Sequence, residues 1–133
     1  MRLLLIEDRE SRYLQFKKWL PPEARLVWVK SGGAALRTLS ADDPDDYDGV
    51  LLDYDLQRQT VTPGEERVNG GVVARRLIEK RWNHVPVLVH SMNMQEGPGV
   101  ADALAQEGFE VTRIPYVGLT KDAFTSWVKS CES

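Results

Sequence analysis

The sequence predicts a three-layer α/β sandwich, a parallel sheet with helices on both sides. Three observations lead to it. The short runs at residues 3–6, 50–52 and 85–89 are apolar without a polar face, as strands buried on both sides require. Strand-like and helix-like stretches alternate five times, the pattern of parallel strands joined by right-handed crossovers. Each of the three apolar runs also stops abruptly on polar residues: Glu7-Asp8, Asp53 and His90-Ser91.

The elements follow in order. Residues 9–20 read as an amphipathic helix with Tyr13, Phe16 and Leu20 at helical spacing, and Pro21-Pro22 stops it. Residues 25–29 form a short strand carrying Leu26, Val27 and Val29. Ser31 suits the N-cap of a helix over 33–39, with Ala34, Ala35, Leu36 and Leu39 inward. An acidic turn, 41–46, leads into the central strand. The polar stretch 57–69 has no periodicity, contains Pro63-Gly64 and exceeds the usual strand-to-helix connection. It is either a lid or binding loop, or a disordered decoration.

A third helix is expected over 71–82, with Val73, Leu77 and Ile78 packing. After the strand at 85–89 and a loop at 92–99, a fourth helix runs from Val100 to near Gly108, a residue suited to a C-terminal cap. A fifth strand covers 109–114, and Pro115 follows. Thr120 caps a last helix that passes Val128, with Phe124, Trp127 and Val128 inward.

At 133 residues the chain is read as one domain, 1–133, large enough to bury a core. Its 42% hydrophobic and 28% charged residues are those of an ordinary globular protein. A net charge of -3 and a pI near 5.4 give no bulk attraction to DNA or to an anionic membrane. The N-terminal apolar run is too short for a signal peptide or a membrane span. One cysteine, Cys131, has no internal disulfide partner, which points to the cytoplasm.

The chemistry is expected at the strand ends. In open parallel sheets, ligands bind where the carboxyl ends of the strands emerge. If the three runs are neighbours, Glu7, Asp8, Asp53 and Ser91 converge there. Crowded carboxylates raise at least one pKa, and a hard cation relieves them. Mg²⁺ (or Mn²⁺) takes a few carboxylates, keeps several waters and leaves room for phosphate oxygens. Glu7, Asp8 and Asp53 are its expected ligands, with the Asp55 carbonyl as a further one. Asp53 can also act as a nucleophile that accepts a phosphoryl group, while Ser91 donates a hydrogen bond to a phosphate oxygen. The plainer alternative is a set of helix caps and solvated turn acids.

His90 is either a general acid or base (or phosphate ligand) titrating near ~6.5, or a residue packed under a helix. Neighbouring strand residues point to opposite faces, so His90 and Ser91 do not share one. Asn93 either binds phosphate or shapes a turn, and Tyr54 either covers Asp53 or packs. His84, Trp28 and Trp82 read as structural.

The motifs Leu4-Leu5-Ile6-Glu7-Asp8, Leu51-Leu52-Asp53 and Val87-Leu88-Val89-His90-Ser91 resemble, in order and separation, the receiver domain of two-component response regulators. The resemblance covers nearly the whole chain. It implies a flavodoxin-like receiver fold with strand order 2-1-3-4-5. It matches Glu7 and Asp8 to the metal-binding acid pair, Asp53 to the phospho-acceptor and Ser91 to the switch hydroxyl. Three departures stand out. Receivers carry a lysine directly before the proline after the fifth strand, where this chain has Ile114. The aromatic switch position falls on Glu110 or Val111, and the loop after Asp53 is longer than usual. The nearest cation to the missing lysine is Arg113, either its substitute at Asp53 or half of a surface ion pair.

Within that superfamily, Leu52-Asp53-Tyr54-Asp55-Leu56, Val89-His90-Ser91-Met92-Asn93 and Thr112-Arg113-Ile114-Pro115 are similar to the divergent cyclic-phosphate processing receiver domains. That group typically has histidine at the position of Tyr54. Three functions follow as expectations. The first is a stand-alone atypical receiver that binds Mg²⁺ and phosphate, accepts a phosphoryl group on Asp53 and signals through a protein partner. The second is an enzyme of metal-assisted cyclic-phosphate hydrolysis, with RNA repair as its setting, in which His90 or Arg113 assists. The third is a degenerate receiver that only binds a protein.

Overall fold

The computed structural model describes residues 1–56 and 67–132. Most of the expected lid, residues 57–66, therefore lies outside the described residues. The apolar runs pair side by side as five parallel strands: β1 (Arg2–Ile6), β2 (Arg25–Val29), β3 (Gly49–Leu52), β4 (Val87–Val89) and β5 (Val111–Arg113). Their order is β2-β1-β3-β4-β5, as expected. In register, Ile6 lies opposite Leu52, Leu52 opposite Val89 and Val89 opposite Arg113.

Strict alternation along these strands divides the core into two halves. Leu4, Ile6, Val50, Leu52, Val87 and Val89 face one way, beneath α2 (Gly32–Ala41), α3 (Gly70–Glu79) and α4 (Gly97–Gln106). Leu3, Leu5, Leu51 and Leu88 face the other, beneath α1 (Glu10–Trp19) and α5 (Lys121–Ser130). Each fully buried aliphatic side chain contributes about 1.5–3 kcal/mol. Because a one-residue slip would exchange the two sets between the halves of the core, the pattern that stabilises the sheet also pins its register.

Local chemistry sets the element ends. Ser31 Oγ accepts from Ala34 N–H at 3.1 Å, and Thr120 Oγ1 accepts from Ala123 N–H at 3.1 Å, so both expected caps form. α3 starts one residue earlier than expected because Asn69 Oδ1 accepts from the N–H groups of Gly71 (2.9 Å) and Val72 (3.1 Å). α4 starts three residues earlier than expected. Pro98 sits in its first turn, where a missing N–H costs no helical bond. Asn93 shapes the approach to α4 by accepting from the N–H groups of Gln95 and Glu96 at 3.1 and 2.9 Å.

β4 and β5 are shorter than expected. Pro86 has no N–H to place in the ladder, and Phe109 N–H bonds to Leu104 O at the end of α4. Gly108 holds φ +87°, a left-handed turn that favours glycine after a helix. Trp82 is fully buried in the half under α2–α4. His84 is exposed and pairs with Asp45 at 2.8 Å. No described helix is long and apolar enough to cross a membrane.

Candidate functional site

The chain winds one way from β1 to β2 and the other way from β1 to β3, which opens a crevice at the carboxyl ends of β1 and β3. The ladder there continues one residue past each strand. Glu7 N–H bonds to Val29 O, Asp53 N–H to Ile6 O and His90 N–H to Leu52 O, each at 3.1 Å. Glu7, Asp53 and His90 are thereby held in one lateral row across β1, β3 and β4. By alternation all three lie on the α1–α5 face, and each residue is at most 2% exposed.

These three side chains converge: one ligand atom from each lies within 4.8 Å of the others, the arrangement a metal ion would need. His90 Nε2 is 3.0 Å from Glu7 Oε1. The ring packs edge-on against Phe16 of α1, with centroids 5.3 Å apart. His90 is thus both packed under a helix and bonded within the acidic row. Its Nδ1 meets no hydrogen-bond partner among the described residues. Neutral imidazole with the proton on Nε2 fits these facts, since protonation would strand a second buried N–H.

Charge in the row is shaped by burial. Removal from water pushes His90 down to about 4 and Asp53 up to about 7, the charge of Glu7 adding to the rise at Asp53. Glu7 is also raised, mainly by burial, with Arg12 opposing.

Sequence reasoning missed the cation of this site. Arg12, in the first turn of α1, places Nη1 3.4 Å from Asp53 Oδ2 and 3.5 Å from Glu7 Oε1. Its guanidinium carbon stands 4.7 Å above the Tyr116 ring centroid. The signal was present: Arg12 lies four residues before Phe16, on the helix stripe that turns inward. Arg113 is elsewhere. It pairs with Val89, so it leaves the sheet on the α2–α4 face, opposite the row. Its Nη1 is buried without a hydrogen bond, and no ion pair joins it to Asp53 among the described residues.

The other expected site residues lie around the row. Asp8, one position past Glu7, is 3% exposed. Ser91 is fully buried beside Gly97 of α4, and its Oγ accepts from Asn93 N–H at 3.0 Å. Asp55 is exposed, with its carboxylate 3.5 Å from the Asn93 side-chain amide. Tyr54 packs against the α2–α4 core, and its N–H donates to Asp53 Oδ1 at 2.8 Å. Trp28 supports the first strand end, donating from Nε1 to Glu7 O at 2.7 Å while stacking on Tyr13.

Two carboxylates this close, with Asp8 adjoining, are an oxygen-rich donor set that suits a hard divalent cation. Such an ion would have to enter where Arg12 now reaches.

Sheet order and the acidic row at the switch point define a flavodoxin-like receiver fold. Solved structures agree with that class. A response regulator receiver protein from Pseudoalteromonas atlantica superposes with a TM-score of 0.72 at 14% identity, covering 98% of this chain and 96% of that one. A CheY-like receiver domain protein from Methanospirillum hungatei gives 0.72 at 12% identity, covering 97% and 90%. The receiver domain of a sensor histidine kinase from Pseudomonas aeruginosa, with a magnesium ion coordinated in its active-site cleft, gives 0.71 at 19% identity, covering 99% and 98%. At these identities the likeness establishes the fold. No protein-family model and no curated protein matches the sequence.

Proposed function

We propose that this chain is a receiver-type phosphoryl-accepting module, with Asp53 as acceptor and a divalent cation, Mg²⁺ or Mn²⁺, held by Glu7 and Asp53 with Asp8 beside them. The observation that carries this reading is the position of Asp53. It stands at the switch point of the sheet, its backbone fixed by the ladder and its carboxylate against that of Glu7. A carboxylate oxygen of Asp53 forms the new bond to phosphorus as the donor's leaving group departs. Glu7 and the Tyr54 N–H orient that carboxylate, and the Ser91 hydroxyl waits on the adjacent strand end. A bound divalent cation supplies positive charge for the phosphate oxygens. A protein partner that reads the modified state completes the function.

His90 favours this reading over cyclic-phosphate hydrolysis. Fully buried, with Nε2 engaged by Glu7, its ring is placed to hold that carboxylate rather than to act as an acid or base on a ligand.

The test is incubation with acetyl phosphate and Mg²⁺, followed by intact mass measurement. One phosphoryl adduct is expected for the wild type, and none for Asp53→Asn or with a chelator present. A parallel incubation with a 2′,3′-cyclic nucleotide should show no turnover. No adduct in the wild type, or an adduct retained in Asp53→Asn, removes Asp53 from its role.

A further inference from the structure

Arg12 is the charged group at the row that the proposed chemistry leaves without a task. Every oxygen of the two carboxylates already faces a donor. Glu7 Oε1 takes His90 and Arg12, and Glu7 Oε2 takes the Arg9 N–H at 3.2 Å. Asp53 Oδ1 takes the Tyr54 N–H, and Asp53 Oδ2 takes Arg12. The backbone donors and His90 are fixed by the sheet and by packing. Only the Arg12 contacts, at 3.4 and 3.5 Å, come from a long side chain that can swing away. In this same position the guanidinium carbon stands 4.7 Å above the Tyr116 ring centroid, a cation–π contact that holds it over the row.

We propose that Arg12 is a tethered counter-ion that occupies the divalent-cation position between Glu7 and Asp53, so that guanidinium and metal exclude each other and Arg12 sets the metal affinity. A guanidinium and a divalent ion within about 4 Å of the same two carboxylates would repel each other strongly in a buried setting. Metal entry therefore expels Arg12 from between the carboxylates. The inference rests on the reading that this site takes a divalent cation, and the test separates the two.

Mg²⁺ is titrated calorimetrically into the wild type, Arg12→Gln, Arg12→Met and Asp53→Asn at one pH and ionic strength, with thermal melts to verify folding. Methionine keeps an apolar stem over Tyr116 and removes only the charge. Both Arg12 variants are expected to bind Mg²⁺ on the order of tenfold more tightly than the wild type, and Asp53→Asn not at all. In the wild type, the Arg12 Nε–H resonance should move along the same isotherm, a readout that holds even if a variant fails to fold. Equal or weaker binding by the folded Arg12 variants, or an Arg12 resonance unmoved by saturating Mg²⁺, overturns the proposal while leaving the metal site standing. Absence of binding in wild type and variants alike, or undiminished binding in Asp53→Asn, overturns the metal reading and the proposal together.

Discussion

His90 Nε2 lies 3.0 Å from Glu7 Oε1, within hydrogen-bonding distance, and neither side chain is exposed to solvent. The bond joins the ends of β1 and β4 across the intervening Asp53. Replacing His90 by leucine keeps the packing against Phe16 and leaves a buried carboxylate short of one donor. His90→Leu is expected to destabilise the protein by about 1–3 kcal/mol, the scale for an unsatisfied buried acceptor. Urea denaturation at pH 7 checks it, and unchanged stability would mean that Arg12 and the Arg9 N–H satisfy Glu7 alone.

The row also predicts an unusual dependence of stability on pH in metal-free buffer. Asp53 moves from an ordinary 3.8 up to about 7 on folding. Between those values the unfolded chain holds fewer protons, so this group makes stability fall as pH rises, and its effect is level above about 7. His90 moves from 6.5 down to about 4, so the unfolded chain holds more protons there and stability rises with pH over that window. The two slopes oppose each other, with raised Glu7 siding with Asp53. Asp53→Asn removes the larger falling component. Its stability should exceed that of the wild type at pH 8 by on the order of 2–4 kcal/mol, with the gap closing towards pH 4. Denaturant midpoints across pH test this, and a gap that is constant with pH contradicts it.

Gly70 ties α3 to the site. A Cβ there would lie 2.4 Å from Asp53 O and 2.5 Å from Tyr54 Cα, both backbone atoms, and Gly70 N–H bonds to Tyr54 O at 2.7 Å. Gly70→Ala should cost about 1–3 kcal/mol through enforced displacement. Gly99→Ala, in α4 with open space around it, should instead be neutral or stabilise by up to about 1 kcal/mol. Thermal melts of the pair check the contrast, and equal effects would show that the close approach at Gly70 relaxes at no cost.

How much of this was legible in the sequence differs by residue. The sheet was, because uniform apolar runs ending on Glu7, Asp53 and His90 name both the strands and their functional ends. The face of each end residue was harder to read. His90 and Ser91 alternate, and which one joins the acidic row depends on the pairing of Leu52 with Val89. The same register sends Arg113 to the opposite face, although its nearness to Pro115 made it the obvious cation by position along the chain. Arg12 was hidden because a charged residue in the first turn of a helix ordinarily faces water. Only the three-dimensional packing of α1 over the row brings it to Asp53. Asn69 was read as loop because Asn-Gly-Gly signals a turn as readily as a cap.

Direct chemical location of the modified group tests the central claim. Protein treated with acetyl phosphate and Mg²⁺ is reduced with borohydride, which converts an acyl phosphate on aspartate to homoserine, and the digested peptides are sequenced by mass spectrometry. Homoserine at position 53, dependent on Mg²⁺, is the predicted result. Homoserine at another acid, or none anywhere while the phosphoryl donor is consumed, would contradict Asp53 as the acceptor.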